Sequence, residues 1–325
     1  MQTFDVVIVG AGPVGLYAAY YAGMRGLSVA IIENFDEAGG QPLNIYPEKH
    51  IFDVAGLPQA NGAELTENLL VQLKKVDYTL LTGQMVSRIE KIGDHFELTT
   101  SKEKLAAKAV LLATGHGLLN PRKIGVEGEE AAYQSGKLAY FVKDLESYRG
   151  QKVAVLGGGD SALDWALMLE NVASEVHVIH RRQAFRAAAA TVAQLETSSV
   201  QVHTPYTVSA LTETGLRLTE VKGDDERELT TDRILVNYGF LIEDDAIVPG
   251  LELTRNHRVV VSRTMVTNID GLYAAGDCCD YEGRVPLIAV GFGEAIIAVN
   301  AMTQTLDFGH KLRNGHSSSI FDKAE

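Results

Sequence analysis

Cysteine is almost missing from this chain. Only Cys278 and Cys279 occur among 325 residues, so no disulfide framework is available. Adjacent cysteines close only into a strained disulfide, so the pair reads as two small buried hydrophobes. Basic charge is also short: 29 Lys and Arg stand against 42 Asp and Glu, a net charge of −13. That argues against general nucleic-acid binding, which needs a basic footprint. It leaves room for a local basic patch around an anionic cofactor. No apolar run approaches the ~20 residues that a membrane span needs. The nearest, Leu287 to Val299, is broken by Gly291, Gly293 and Glu294. No basic segment precedes the strand pattern that starts at Phe4, so no signal peptide is read and a cytoplasmic protein is expected.

What is present is repetition. An apolar strand, a glycine-rich turn, a small-residue helix and a second apolar strand occur twice. The first set runs Asp5 to Val9, Gly10-Ala-Gly-Pro-Val-Gly15, a helix to about Arg25, then Ser28 to Glu33. The second runs Lys152 to Leu156, Gly157-Gly-Gly-Asp-Ser-Ala162, a helix to about Ala173, then Glu175 to His180. Unbroken Val/Ile strands suit parallel sheets buried on both faces. The chain also exceeds the roughly 250–300 residues at which single cores stop growing.

Between and after these units lie strand-rich stretches. Met85 to Thr100 alternates like an antiparallel meander around Gly93-Asp94, and Val200 to Thr230 does so around Lys222-Gly-Asp-Asp. Ala109 to Gly115, Arg233 to Gly239 and Leu272 to Asp277 read as buried strands ending in glycine, and a helix is expected from about Pro286 to Thr303. The fold class is therefore α/β, with two Rossmann-like domains, the second inserted in the first. The expected bounds are 1–116 plus 242–325 for the outer domain and 117–241 for the inserted one.

The glycine spacing has a physical purpose. In the first loop Gly10 permits the tight turn, Gly12 lets backbone approach a pyrophosphate, and Gly15 lets the helix pack on the strand. The helix start offers free N–H groups and a positive dipole end. Pro13 sits near the first helical turn, where its missing N–H costs little. Glu33 closes the second strand, where a carboxylate accepts from ribose hydroxyls; this fits an unphosphorylated adenosine, as in FAD or NAD. The second loop places Gly157, Gly159 and Ala162 at the same spacing, with Asp160 and Ser161 opening the helix. Its second strand ends in His180-Arg181-Arg182, followed by Arg186. Guanidinium groups there suit a 2′-phosphate, so NADP is favoured over NAD.

These motifs resemble the thioredoxin reductase superfamily of flavoproteins with two dinucleotide-binding domains. Gly39-Gly-Gln41, Ala113-Thr-Gly115 and Ala274-Ala-Gly-Asp277 strengthen the resemblance, which spans nearly the whole chain. It implies that Asp277 holds the ribityl–pyrophosphate region of FAD and that the following helix points its N-terminus at the flavin. One departure decides the subfamily. Where a thioredoxin reductase carries Cys-x-x-Cys, this chain reads Leu138-Ala-Tyr-Phe-Val-Lys-Asp144. Val14 occupies the position of the loop cysteine of bacillithiol disulfide reductases. Without thiols in those places, dithiol exchange is excluded.

The remaining text resembles ferredoxin–NADP reductases of the thioredoxin-reductase-like type. Its carriers are Gln41 with Tyr46-Pro-Glu48, Asp53-Val-Ala-Gly56, Asp160 to Ala166, Val236 to Phe240, Tyr281-Glu-Gly283 and His316 to Phe321. The resemblance implies FAD and NADPH as cofactors, with Tyr46 stacking on one flavin face and His316 and Ser318 of the C-terminal extension covering the other. It places Val86 and Leu119 along the adenine and ring pockets, and it implies a homodimer. Arg186 is followed by Ala187 to Ala190, where the family is more polar.

Two functional classes follow. The first is an enzyme moving electrons from NADPH through FAD to ferredoxin, or the reverse, with flavodoxin or quinone as other acceptors. The second is a flavin redox sensor with slow turnover. Lys49, Arg122, Lys123, Lys137, Lys143 and Arg149 are candidates for a basic patch facing an acidic carrier. His177 and His180 lie three apart on a strand and point to opposite faces, so joint metal ligation is not expected. Trp165 reads as core.

Overall fold

The computed structural model describes residues 1–117, 120–241, 247–313 and 317–321. The chain divides into two compact units, Met1–Leu118 with Glu243–Glu325, and Leu119–Ile242.

The first unit is built on a seven-stranded sheet. Gln2–Val9 lies at its centre, parallel to Val29–Ile32 on one side and to Lys104–Leu112 on the other. Thr79–Leu81 extends the sheet in parallel beyond Val29–Ile32. Val29–Ile32 is wholly buried, as its unbroken apolar text requires. Helix Pro13–Met24 packs on helices Gly62–Leu73 and Ile288–Thr305. The Tyr17 and Phe292 rings meet at 5.1 Å across the second of these contacts. Helix Gly62–Leu73 starts from a complete capping box between Asn61 and Glu64.

The structure adjusts several expected bounds. The strand expected at Ala109 begins at Lys104, and it serves two neighbours. Its first half pairs antiparallel with His95–Thr100, while its end pairs parallel with Leu272–Ala274. The Met85 to Thr100 meander is thus the outer part of the main sheet. The last long helix begins at Ile288, with Leu287 in extended conformation before it, and runs to Thr305.

The second unit holds a parallel five-stranded sheet in the order Leu138–Ala139, Arg233–Val236, Lys152–Leu156, Glu175–Ile179, Gln201–His203. Its glycine-loop helix, Asp160–Leu169, is shorter than expected and loosens into turns up to Ala173. Trp165 is buried on it. The stretch expected as one insertion from Val200 splits. Gln201–His203 joins the parallel sheet, and Tyr206–Leu211, Gly215–Glu220 and Glu226–Thr230 form a separate antiparallel sheet.

Candidate functional site

In the first unit the carboxyl ends of Gln2–Val9, Val29–Ile32, Lys104–Leu112 and Leu272–Ala274 lead into Gly10, Glu33, Ala113 and Ala275. Ligands of open α/β sheets bind at such ends. The turn at Gly10 to Gly15 is very tight: a Cβ on Gly15 would lie 1.9 Å from the Gly10 carbonyl oxygen. A second loop crosses against the first, because a Cβ on Gly40 would lie 2.6 Å from Gly12 Cα. Gly12 is the N-cap of helix Pro13–Met24, and no side chain caps it. Among the described residues no side chain meets the N–H groups of that first turn, the kind of helix start that favours an anion.

Glu33 is buried and reaches back to this turn. Its carboxylate accepts the Ala11 N–H at 2.7 Å and the Phe35 N–H at 3.0 Å. Two oxygens offer about four lone-pair sites, so acceptor capacity remains for hydroxyl donors. Gln41 lies on the short helix Gly40–Asn44, its Nε2 3.3 Å from His116 Nδ1. Val86 is buried at the start of its strand. The Tyr46 phenol is pushed up to about 12 by burial, then by the carboxylates of Asp277 and Asp53. The Asp277 carboxylate is thus near enough for its charge to act on the Tyr46 phenol. Ser318 is exposed on the short helix Ser317–Phe321. Leu119 and His316 lie outside the described residues.

Sequence reasoning missed a charged network beside Asp277. Glu294, inside the apolar helix Ile288–Thr305, is 2% exposed. It accepts the Gly276 N–H at 2.6 Å, the Tyr281 hydroxyl at 2.9 Å and Arg284 Nε at 2.9 Å. Arg284 Nη2 reaches Asp277 Oδ1 at 3.1 Å. The available signal was a single carboxylate interrupting an otherwise apolar helix, and its partner stood ten residues earlier.

The cysteines are both buried and free. Burial raises both thiols above their ordinary range, which keeps them protonated and poorly nucleophilic.

In the second unit Gly159 is the uncapped N-cap of helix Asp160–Leu169, and a Cβ there would meet nothing. Gly157 packs against buried Ala162 at the helix start. Ser161 is exposed. Asp160 accepts the Ala188 N–H at 2.8 Å, so the first-turn acid tethers the start of the alanine run. The arginines and the histidine part company. Arg181, Arg182 and Arg186 are exposed, whereas His180 is buried. Its ring stacks on Phe185 at 5.5 Å and lies so close under the loop that a Cβ on Gly158 would come within 2.4 Å of it. The Arg186 N–H donates to the Gly158 carbonyl at 2.7 Å, which folds the arginine loop back onto the glycine loop. Burial, then the three arginine charges, lower the His180 pKa. His180 Nε2 and Asn237 Oδ1 are buried without a partner among the described residues.

The candidate basic patch is partly spent within the chain. Lys123 pairs with Glu130 and Arg149 with Glu146, while Lys137 donates to the carbonyls of Thr212 and Glu213. His177 stands beside His203, Nδ1 to Nε2 at 3.1 Å, away from His180. Among the described residues, no group of three or more His, Cys, Asp or Glu could hold a metal. Among the described residues no helix is long and apolar enough to cross a membrane.

Two sheets, one parallel and one with a parallel core, each with an uncapped helix start behind a glycine turn, define a protein built on two Rossmann-like dinucleotide folds. The pyridine nucleotide-disulphide oxidoreductase family model matches residues 4–301, and the chain belongs to that family. It is 56% identical over 321 residues to the ferredoxin–NADP reductase of Lactococcus lactis subsp. cremoris, covering 99% of this chain and all of that protein. It is 44% identical to ferredoxin–NADP reductase 2 of Listeria innocua, covering 99% and 98%. Among solved structures, the thioredoxin reductase of T. acidophilum matches with a TM-score of 0.78 at 26% identity, over 94% of this chain and 99% of that one.

Proposed function

We propose that the protein is an FAD-dependent ferredoxin–NADP reductase that carries electrons between NADPH and ferredoxin. The observation that carries the reading is the contrast between two otherwise similar strand ends. One presents the buried carboxylate of Glu33 tied to its glycine loop; the other presents three exposed guanidinium groups. A carboxylate selects free ribose hydroxyls, and arginines select a 2′-phosphate. In this reading FAD is held by Gly10, Gly12, Pro13, Gly15, Glu33, Gln41, Tyr46, Val86, Leu119, Asp277, His316 and Ser318. NADPH is held by the loop Gly157 to Ala162 and by Arg181, Arg182 and Arg186, with His180 supporting the loop from below.

When bound, FAD supplies the conversion between a two-electron hydride donor and one-electron acceptors. The chain therefore contributes binding, orientation and electrostatics rather than a nucleophile. The uncapped first turns of Pro13–Met24 and Asp160–Leu169 present N–H groups to pyrophosphates. Tyr46 stays a neutral ring at physiological pH, since its phenol titrates at about 12, and a neutral ring stacks without adding charge. The buried thiols stay protonated, which makes them poor nucleophiles.

The protein works as a cytoplasmic homodimer in this reading, with flavodoxin as a further one-electron acceptor. Light scattering on the purified protein measures the oligomeric state. The test of function is NADPH-driven cytochrome c reduction with and without ferredoxin, with NADH as the control donor. A large ferredoxin-dependent increase that prefers NADPH supports the assignment. Rapid flavin bleaching without a ferredoxin effect keeps the two nucleotide sites and removes ferredoxin as the partner.

A further inference from the structure

The charged network around Arg284 is placed where folding alone does not ask for it. Glu294 and the Arg284 side chain are 2% and 3% exposed, while the Asp277 side chain is 34% exposed. The three groups form a line from the core of the first unit to its surface, and only the last meets solvent. Taking an ion pair out of water costs several kcal/mol per ion, and apolar replacements of such pairs are often neutral or stabilising. A buried pair of this kind is weak evidence of a stabilising role.

Its geometry explains more. Glu294 is held by its own helix and accepts the Gly276 N–H, so it fixes the backbone directly before Asp277. Arg284 uses two parts of one planar group in two directions, Nε toward Glu294 and Nη2 toward Asp277. A guanidinium can bridge two carboxylates in this way; an ammonium presents a point charge without the fork. Burial opposes the Arg284 charge, yet Glu294 and Asp277 together hold it more firmly protonated than usual. One oxygen of Asp277 is thus engaged, and the other has no side-chain partner drawn from this network. Tyr281 completes the cage by donating to Glu294, its phenol pushed up to about 12 by burial and by that bond.

We infer that Arg284 and Glu294 are positioning residues for flavin binding, setting the orientation and charge of Asp277 toward the FAD polyol chain. The inference rests on the reading of Asp277 as a flavin contact. Without Arg284, two carboxylates would face one another beside a ligand that itself carries a pyrophosphate. The Asp277 carboxylate would then turn toward water.

FAD titration of the apoprotein, followed by quenching of flavin fluorescence, tests this with Arg284→Met, Asp277→Ala and the double variant. Asp277→Ala and Arg284→Met are each expected to weaken FAD binding by about tenfold or more, the scale on which groups orienting a ligand-contacting side chain act. The double variant is expected to bind no more weakly than Asp277→Ala alone, since Arg284 acts through Asp277. Losses that multiply in the double variant, or wild-type binding by Arg284→Met, overturn the inference. Wild-type binding by Asp277→Ala instead removes the flavin-contact reading itself, so the two failures are distinguishable. If Arg284→Met does not fold, Arg284→Gln combined with Glu294→Gln keeps an acceptor for the Gly276 N–H and removes both buried charges. That variant is expected to show the same loss, and wild-type affinity in it overturns the inference. A second readout is the flavin midpoint potential of Arg284→Met at saturating FAD. It is expected to become more negative, because reduction adds electrons beside uncompensated carboxylates; an unchanged potential indicates a merely structural pair and overturns the inference.

Discussion

Arg181, Arg182 and Arg186 carry the choice of nicotinamide cofactor at the level of single side chains. All three are exposed at the end of the Glu175–Ile179 strand, and the Arg186 backbone is tied to the glycine loop. Hydrogen bonds to charged groups contribute about 1.5–3 kcal/mol each. Arg182→Ala is therefore expected to lower kcat/KM for NADPH by roughly 10–100-fold and to leave NADH nearly unchanged. Steady-state kinetics with both donors checks this. The charges were legible in the sequence because the three arginine letters between positions 181 and 186 state them. The inward turn of His180 was not, since the Gly158 and Phe185 contacts that bury it depend on how two loops fold together.

Among the elements, the glycine loops depend on contacts that tolerate no added atom. A Cβ on Gly15 would overlap the Gly10 carbonyl, so strand and helix would have to separate. Gly15→Ala is expected to destabilise the first unit by about 1–3 kcal/mol, the usual cost of overpacking, and to weaken FAD binding. Denaturant unfolding followed by FAD titration measures both effects.

A second element-scale prediction concerns two neighbouring strands. Glu175–Ile179 and Gln201–His203 pair in parallel with His177 opposite Gln201. This places the His177 and His203 rings side by side, and burial lowers the pKa of both. His180, at the end of the first strand, is lowered too. With folded values below the ordinary histidine value of about 6.5, the unfolded chain binds more protons as acidity rises. The stability these neutral rings permit is present above that value and is lost as pH falls toward their folded values. The unfolding free energy is expected to drop between about pH 7 and pH 5. His203→Gln should flatten that drop, as measured by urea titration across the range.

At the scale of the whole molecule, a chain with two nucleotide-binding units answers each ligand separately. A ligand that binds only the folded state stabilises it by about 2.7 kcal/mol when its free concentration is a hundred times its Kd. FAD is expected to raise the melting temperature of the unit containing residues 1–118 and 243–325, and NADP that of the inserted unit. Differential scanning calorimetry of the apoprotein with each ligand in turn reads this directly. A single transition moved equally by both ligands would show instead that the units unfold together.

The division between sequence and structure follows from the range of the interactions. By itself the sequence determined the two glycine turns, the Val/Ile strands that flank them, the opposite charges of Glu33 and Arg181-Arg182, and the lack of paired thiols where a disulfide reductase needs them. Each is a property of a few neighbouring residues: a turn that needs glycine, a strand that needs two buried faces, a charge that its letter states. Only the tertiary structure decided that Glu33 closes on Ala11, that Asp160 is tied to Ala188, and that Glu294 reaches Asp277 through Arg284. It also decided that the Lys104–Leu112 strand is shared between two parts of one sheet. Those outcomes depend on burial, which strips water from a polar group and obliges it to find a partner, and that partner lies wherever the fold brings distant segments together.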